Sequence, residues 1–197
     1  LGQLEALNEE IGKIWLRGYS QPPQCDKPFA YYLKSQDNPE QVIWARIDKA
    51  FKARRPGLAL YLGKKLDAQS RATVEIWYRA HKRPERSLKK LSEAEDSERT
   101  REIIVHALDR LARKDSLKAL EAWKLIADQF AFSEEQKAQV QLRIALSAAF
   151  QHEPEARTLL SELNATVMND QAYLWLARIQ LRGRDWPGLM NTINQMP

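Results

Sequence analysis

Asp170–Leu189 reads DQAYLWLARIQLRGRDWPGL, and its punctuation sets out the unit from which the chain is built. Apolar residues recur at helical spacing up to Arg182, Gly183 and Asp185 interrupt them, and a second apolar run starts at Trp186. The pattern predicts one helical hairpin, with helices over Asp170–Arg182 and from Trp186 to the end. Its Leu176-Ala177-Arg178-Ile179, with Gly188-Leu189 nine residues after Ile179, matches Trp44-Ala45-Arg46-Ile47, with Gly57-Leu58 ten residues after Ile47. A third copy, Leu142-Arg143-Ile144-Ala145, places Arg143 35 residues before Arg178. Each copy is a helix bearing Arg-Ile, a turn, and a second helix whose leucines face back. Such a unit carries one apolar stripe too many to stand alone, so neighbours must stack to bury it. The expected fold class is all-α, an irregular α-superhelix of stacked antiparallel helix hairpins.

The rest of the chain fits that unit. Leu4, Leu7, Ile11, Ile14 and Trp15 set a first helix ending near Arg17, with Gly18 as its terminal glycine. Pro22 and Pro23 forbid a helix over Tyr19–Gln24, after which Asp26 is expected to cap a short helix carrying Phe29, Tyr32 and Leu33. Asn38-Pro39 predicts the start of a helix through Phe51, and Arg55-Pro56-Gly57 a turn. Short helices carry Leu58 to Leu62 and then Val74, Trp77 and Tyr78, and Pro84 starts another turn. Ser92–Glu98 is a solvated connection. Ile104, Leu108 and Leu111 share a helix; Leu117, Leu120, Trp123, Ala127 and Phe130 share the next, capped by Asp115. Ser133-Glu134-Glu135-Gln136 has capping-box spacing, and the long helix behind it is apolar on more than one face, so two neighbours should flank it. Pro154 opens a short helix through Leu159, Leu160 and Leu163.

Composition agrees. Among 197 residues only 7 are Gly and 9 Pro, which disfavours a hairpin-rich sheet. At 44% hydrophobic and 29% charged, with no apolar run near the roughly 18 residues of a membrane span, the chain reads as a soluble globular protein with no transmembrane segment. Its start at Leu1 reads as a processed or cut end, so a fragment is expected. The net charge is +5, but Arg46–Lys90 alone holds 14 Lys and Arg against 4 Asp and Glu. Arg54, Arg55, Lys64, Lys65, Arg79, Lys82 and Arg83 are the candidate surface for a polyanion or a carboxylate-bearing glycan, against the alternative of an ordinary solvated, ion-paired face. No nucleic-acid partner is expected. The single Cys25 excludes an internal disulfide framework and is either a buried free cysteine or half of a bridge whose partner is missing.

Catalytic patterns are missing. His81, His106 and His152 are far apart with no partner at helical spacing, so neither a metal site nor a cofactor is expected. His106 reads as a partly buried histidine on a helix face. There is no G-x-S-x-G and no phosphate-cradling glycine loop, and the carboxylates alternate with basic residues as on a solvated surface. No catalytic residue is assigned. The six tryptophans each fall on or beside a helix, which argues packing before sugar stacking.

One segment carries a family likeness. Trp15-Leu16-Arg17-Gly18-Tyr19-Ser20-Gln21-Pro22-Pro23-Gln24-Cys25-Asp26-Lys27 closely resembles the Trp-Leu-x-Gly-x-Ser-x-Pro-x-x-Cys-Asp-x segment of the soluble lytic murein transglycosylases. The likeness continues through Ala45-Arg46-Ile47 and Gly57-Leu58 and returns weakly at Arg178-Ile179, Arg182 and Gly188-Leu189. The resemblance implies a periplasmic enzyme with a ring-forming α-superhelix followed by a linker domain and a lysozyme-like catalytic domain. Such an enzyme cleaves the β-1,4 bond between N-acetylmuramic acid and N-acetylglucosamine and closes a 1,6-anhydro ring. The family's catalytic glutamate lies in a Glu-Ser motif, followed by Gly-Leu-Met-Gln and Ala-Tyr-Asn-Ala. This sequence has no Glu-Ser and no Ala-Tyr-Asn, and in Gly188-Leu189-Met190-Asn191 an asparagine replaces the glutamine. Residues 1–197 are therefore expected to be part of the superhelical (U-type) domain, inactive alone. Peptidoglycan would be met through the full-length enzyme, with the linker and catalytic domains in cis. The resemblance also implies that Cys25 pairs with a cysteine about thirty residues upstream, before Leu1. The alternative is a stand-alone helical-repeat adaptor for protein partners.

Overall fold

A computed structural model describes residues 2–196, with side chains from residue 6 onward; Leu1 and Pro197 lie outside the described residues, and Leu4 outside the described side chains. Among the described residues there are twelve α-helices, one 3-10 turn (Pro23–Cys25) and no strand. They are α1 (Gly2–Trp15), α2 (Asp26–Lys34), α3 (Pro39–Lys52), α4 (Pro56–Gly63), α5 (Ala68–Lys82), α6 (Pro84–Leu91), α7 (Glu98–Ala112), α8 (Ser116–Ile126), α9 (Glu134–Gln151), α10 (Ala156–Ser161), α11 (Asp170–Arg182) and α12 (Trp186–Gln195). The all-α expectation holds. The chain divides into two compact units, Leu1–Arg79 and Ala80–Pro197, with the boundary inside α5.

In the first unit α1 packs on α2, α2 on α3, and α3 on α4. Asn38 caps α3 as expected, its Oδ1 accepting from Gln41 N at 3.1 Å, with Pro39 in the first turn. Ile43, Ile47, Ala50 and Phe51 form its buried stripe, and Phe51 stacks on Trp77 with ring centroids 4.5 Å apart. Asp26 is not the cap of α2. The 3-10 turn runs straight into the helix, Cys25 already has helical angles, and no extended residue remains to present a capping side chain; Asp26 sits instead in the first turn, where the helix dipole favours its charge. Gly18 also has another role than expected. α1 stops at Trp15, no described glycine has a positive φ, and a Cβ at Gly18 would stand 2.4 Å from the Lys49 carbonyl oxygen and 2.9 Å from Ala53 Cβ. Glycine is needed here for close approach to the end of α3.

In the second unit α6, α7 and α8 pack together, and α9 packs against α7 and α8 as well as α10 and α11. The expected placement of this long helix between neighbours is realised by Val140 and a buried run from Ile144 to Ala149, whose alanines let adjacent helices approach closely. Its capping box is complete: Ser133 Oγ accepts from Gln136 N, and Gln136 Oε1 from Ser133 N. Asp115 caps α8, and α11 and α12 pair as the hairpin predicted from Asp170–Leu189. One side chain ties three helix ends together. Gln151 Oε1 accepts from both Ser116 N and Ser116 Oγ at 2.9 Å, while its Nε2 donates to Ala112 O at 2.8 Å.

Three expectations for this unit need correction. Pro84 opens a helix, α6, because proline at the first helical position is as compatible with a start as with a turn; Leu88 and Leu91 are its buried face. α8 ends at Ile126, and Phe130 belongs to the following loop, where Phe130 and Phe132 fold back by ring contacts toward Trp123. α10 begins only at Ala156 and ends at Ser161, leaving Leu163 outside it. The Ser92–Glu98 connection between α6 and α7 is solvent-exposed, as expected, and is also pinned: Asp96 accepts from Ala131 N at 2.8 Å and from Arg101 at 2.6 Å, and these donors hold its carboxyl below the usual range.

Three helix ends share one closure. Arg55 N donates to Ala50 O, Glu153 N to Ala148 O and Asp185 N to Gln180 O, each at 2.8–2.9 Å. The left-handed residue just before each donor is Arg54, His152 or Arg184, with φ of 55–59°. Gly183 is in an ordinary conformation, and the turn it was expected to make is made by Arg184.

Candidate functional site

The seven basic residues singled out in the sequence are all exposed, five in the first unit and two, Lys82 and Arg83, in the second. Arg54 and Arg55 occupy the turn between α3 and α4. Lys64 and Arg79 line a cleft of about 370 Å3 between the end of α4 and α5, together with Arg71, Glu75 and Tyr78. Lys65 belongs to a different cavity in the same unit and lies over the Tyr61 ring at 5.5 Å. In the second unit Lys82 and Arg83 join Arg86, Lys89, Arg110 and Lys114 around a cleft of about 470 Å3, where Glu85 is the one lining carboxylate. Glu85 reaches Lys118 at 3.8 Å.

The most unusual group is one that sequence reasoning placed in a repeat and passed over. Arg46, on the inner face of α3, is only 4% exposed. Its guanidinium carbon lies 4.4 Å from the centre of the Trp15 ring and 4.8 Å from that of Phe29, and the two rings meet edge to face at 5.2 Å. Trp15 is held in turn by donating from Nε1 to Val42 O at 3.0 Å. Among the described residues the arginine's one acceptor is the Tyr19 carbonyl at 3.5 Å, and its buried Nε has no hydrogen-bond partner. Burial pushes its pKa down, against the opposing pull of Tyr61, Cys25 and Asp26. A cavity of about 470 Å3 opens beside it, with Ser20, Gln21, Asp26, Tyr61 and Lys65 among its lining.

His81 and His106, 25 residues apart and on different helices, meet with Nδ1 and Nε2 3.0 Å apart and rings stacked at 5.2 Å. Burial, and then the neighbouring His81, push the His106 pKa down to about 4. Periodicity finds the helix face of each histidine but not their meeting. Among the described residues no group of three or more His, Cys, Asp or Glu is placed to hold a metal, and no helix is long and apolar enough to cross a membrane. Cys25 is a half-exposed free thiol. Of the tryptophans, Trp15, Trp77 and Trp123 are buried core, whereas Trp186, in the first turn of α12, is 56% exposed.

No protein-family model and no curated protein matches the sequence. Solved structures do match. All of the chain aligns with 32% of an inactive mutant of the lytic transglycosylase Slt from Pseudomonas aeruginosa, at a TM-score of 0.85 and 25% identity. It aligns equally completely, again with 32% of the other chain, with the 70-kDa soluble lytic transglycosylase in complex with bulgecin A and with SLT70 from Escherichia coli. Their TM-scores are 0.80, with identities of 23% and 22%. The chain thus spans 32% of the length of the structures it matches.

Proposed function

We propose that this chain, a lytic-transglycosylase-like helical domain by its fold, is a non-catalytic superhelical part of a periplasmic peptidoglycan lytic transglycosylase. The observation that carries this reading is the match of the entire chain to part of a lytic transglycosylase at a TM-score of 0.85. The Trp15–Lys27 segment supports it from the sequence side. In the whole enzyme the chemistry would be an intramolecular transfer: the C6 hydroxyl of N-acetylmuramic acid replaces the N-acetylglucosamine oxygen at C1. The leaving sugar takes up the proton, so no water is consumed. The sequence holds no Glu-Ser motif to supply the acid for that step, so the part played here is scaffold and glycan-facing surface.

Arg54, Arg55, Lys64, Lys65, Arg79, Lys82 and Arg83 are the residues that would meet the carboxylates of murein. Their exposure supports that role and argues for a salt-sensitive contact. Incubating murein sacculi with this chain, and separately with the parent protein, tests the assignment. The parent should release 1,6-anhydro-muropeptides and this chain none; release by this chain alone would overturn the non-catalytic reading.

A further inference from the structure

A buried cation in a folded protein is ordinarily met by a carboxylate, because leaving its charge out of water without one is costly. Arg46 breaks that rule. Among the described residues it makes no ion pair, although it is 4% exposed. A guanidinium offers five N–H donors in a fixed fork, and here one carbonyl at 3.5 Å is the only acceptor among the described residues. Trp15 and Phe29 fix the group by cation-π contact and leave most of its N–H donors without an acceptor.

We propose that the cavity beside Arg46 is a binding site for a carboxylate, carried on a body compact enough to lie against the exposed Tyr61 ring, with the guanidinium as its anchor. The fit has four parts. The open edge of Arg46 matches the two oxygens of a carboxylate, the pairing for which arginine is best shaped. Lys65 adds a second positive charge to the lining. Ser20 and Gln21 supply polar groups that can orient the rest of the ligand. The volume, about 470 Å3, lies within the usual range for small-molecule sites. Asp26 also lines the cavity and attracts the guanidinium electrostatically, yet among the described residues the two form no ion pair, so its charge competes with the ligand without occupying the site. This site is independent of the glycan-cleaving parent proposed above.

The test uses the full chain. N-acetylalanine and its uncharged amide, and glucuronate and uncharged glucose, are titrated calorimetrically while the indole N–H resonance of Trp15 is followed by NMR. The carboxylates should bind with a Kd of about 1 mM and shift that resonance. The neutral analogues should bind at least about tenfold more weakly. A tighter peptide-type carboxylate would assign the site to a chain terminus, and a tighter glucuronate would assign it to a sugar acid. Arg46→Lys keeps the charge but loses the fork and should weaken binding about tenfold; Asp26→Asn, at an exposed position, should tighten it about threefold. Neutral analogues binding as well as the acids, a Trp15 resonance that does not move, or an affinity indifferent to Asp26→Asn would each overturn the proposal, even if Arg46→Lys fails to fold.

Discussion

Acidification from pH 7 to pH 4 isolates the contact between His81 and His106. At 3.0 Å one ring nitrogen donates and the other accepts, whichever tautomers are present, so the contact needs an unprotonated acceptor. Burial and then the neighbouring His81 lower the His106 pKa from 6.5 to about 4. A depressed histidine pKa means that the unfolded chain takes up a proton before the folded chain does. The contact therefore costs nothing above pH 6.5, and stability falls as the pH drops from 6.5 towards 4 and levels off below. Linkage puts the loss from this group at about 2 kcal/mol by pH 5 and about 3 kcal/mol by pH 4. The assay is urea unfolding of the chain and of His106→Gln at pH 7, 5 and 4, with the His106 ring resonance titrated by NMR. The native chain should lose about 3 kcal/mol more than the variant over this range. Parallel losses in the two proteins, or a ring titrating near 6.5, would refute the reasoning.

Gly18→Ala should destabilise the first unit by about 1–3 kcal/mol, because its Cβ meets rigid backbone at Lys49; Gly57→Ala, with open space around it, should be neutral or slightly stabilising in the same thermal melt. Gln151→Ala strands the buried donors of Ser116 and the Ala112 carbonyl and should cost about 2–3 kcal/mol in urea unfolding, with faster amide exchange at Ser116. In a chain extended upstream by about forty residues, Cys25 should resist thiol reagents under oxidising conditions, with the bridge contributing about 3 kcal/mol. Free thiol there in the folded, oxidised protein would remove the disulfide implied by the family likeness.

Features written in local spacing were legible in the sequence. Asn38, Asp115 and Ser133 cap as read, because a cap is decided within four residues. The breadth of the apolar surface around Val140–Ala149 foretold a helix with neighbours on more than one side. Proline was ambiguous: Pro84 has the same sequence signature whether it starts a turn or a helix, and only Leu88 and Leu91 finding a buried face decides it. Arg46 was legible as a repeat residue and illegible as a buried cation. Its counterparts show why: Arg143 reaches Asp109 at 2.7 Å, and Arg178 lies exposed over Trp175 at 5.2 Å. The same Arg-Ile letters occupy three environments, set by what each helix packs against. The His81–His106 pair lies beyond local spacing for the same reason.

Arg54, His152 and Arg184 hold the left-handed position at three helix ends where glycine is the usual occupant. A side chain there costs on the order of 1 kcal/mol of backbone strain, but it also leaves the unfolded ensemble fewer conformations to lose than glycine would, an offset of about 0.4–1 kcal/mol. The balance is close to zero, so selection has little thermodynamic reason to insist on glycine at these points. What defines each turn is then the backbone hydrogen bond that closes it, from Arg55, Glu153 or Asp185 back to the fifth residue before. A turn stored in main-chain bonds tolerates substitution of its letters. A fold stacked from such hairpins can diverge far in sequence while its geometry stands still, consistent with 25% identity at a TM-score of 0.85.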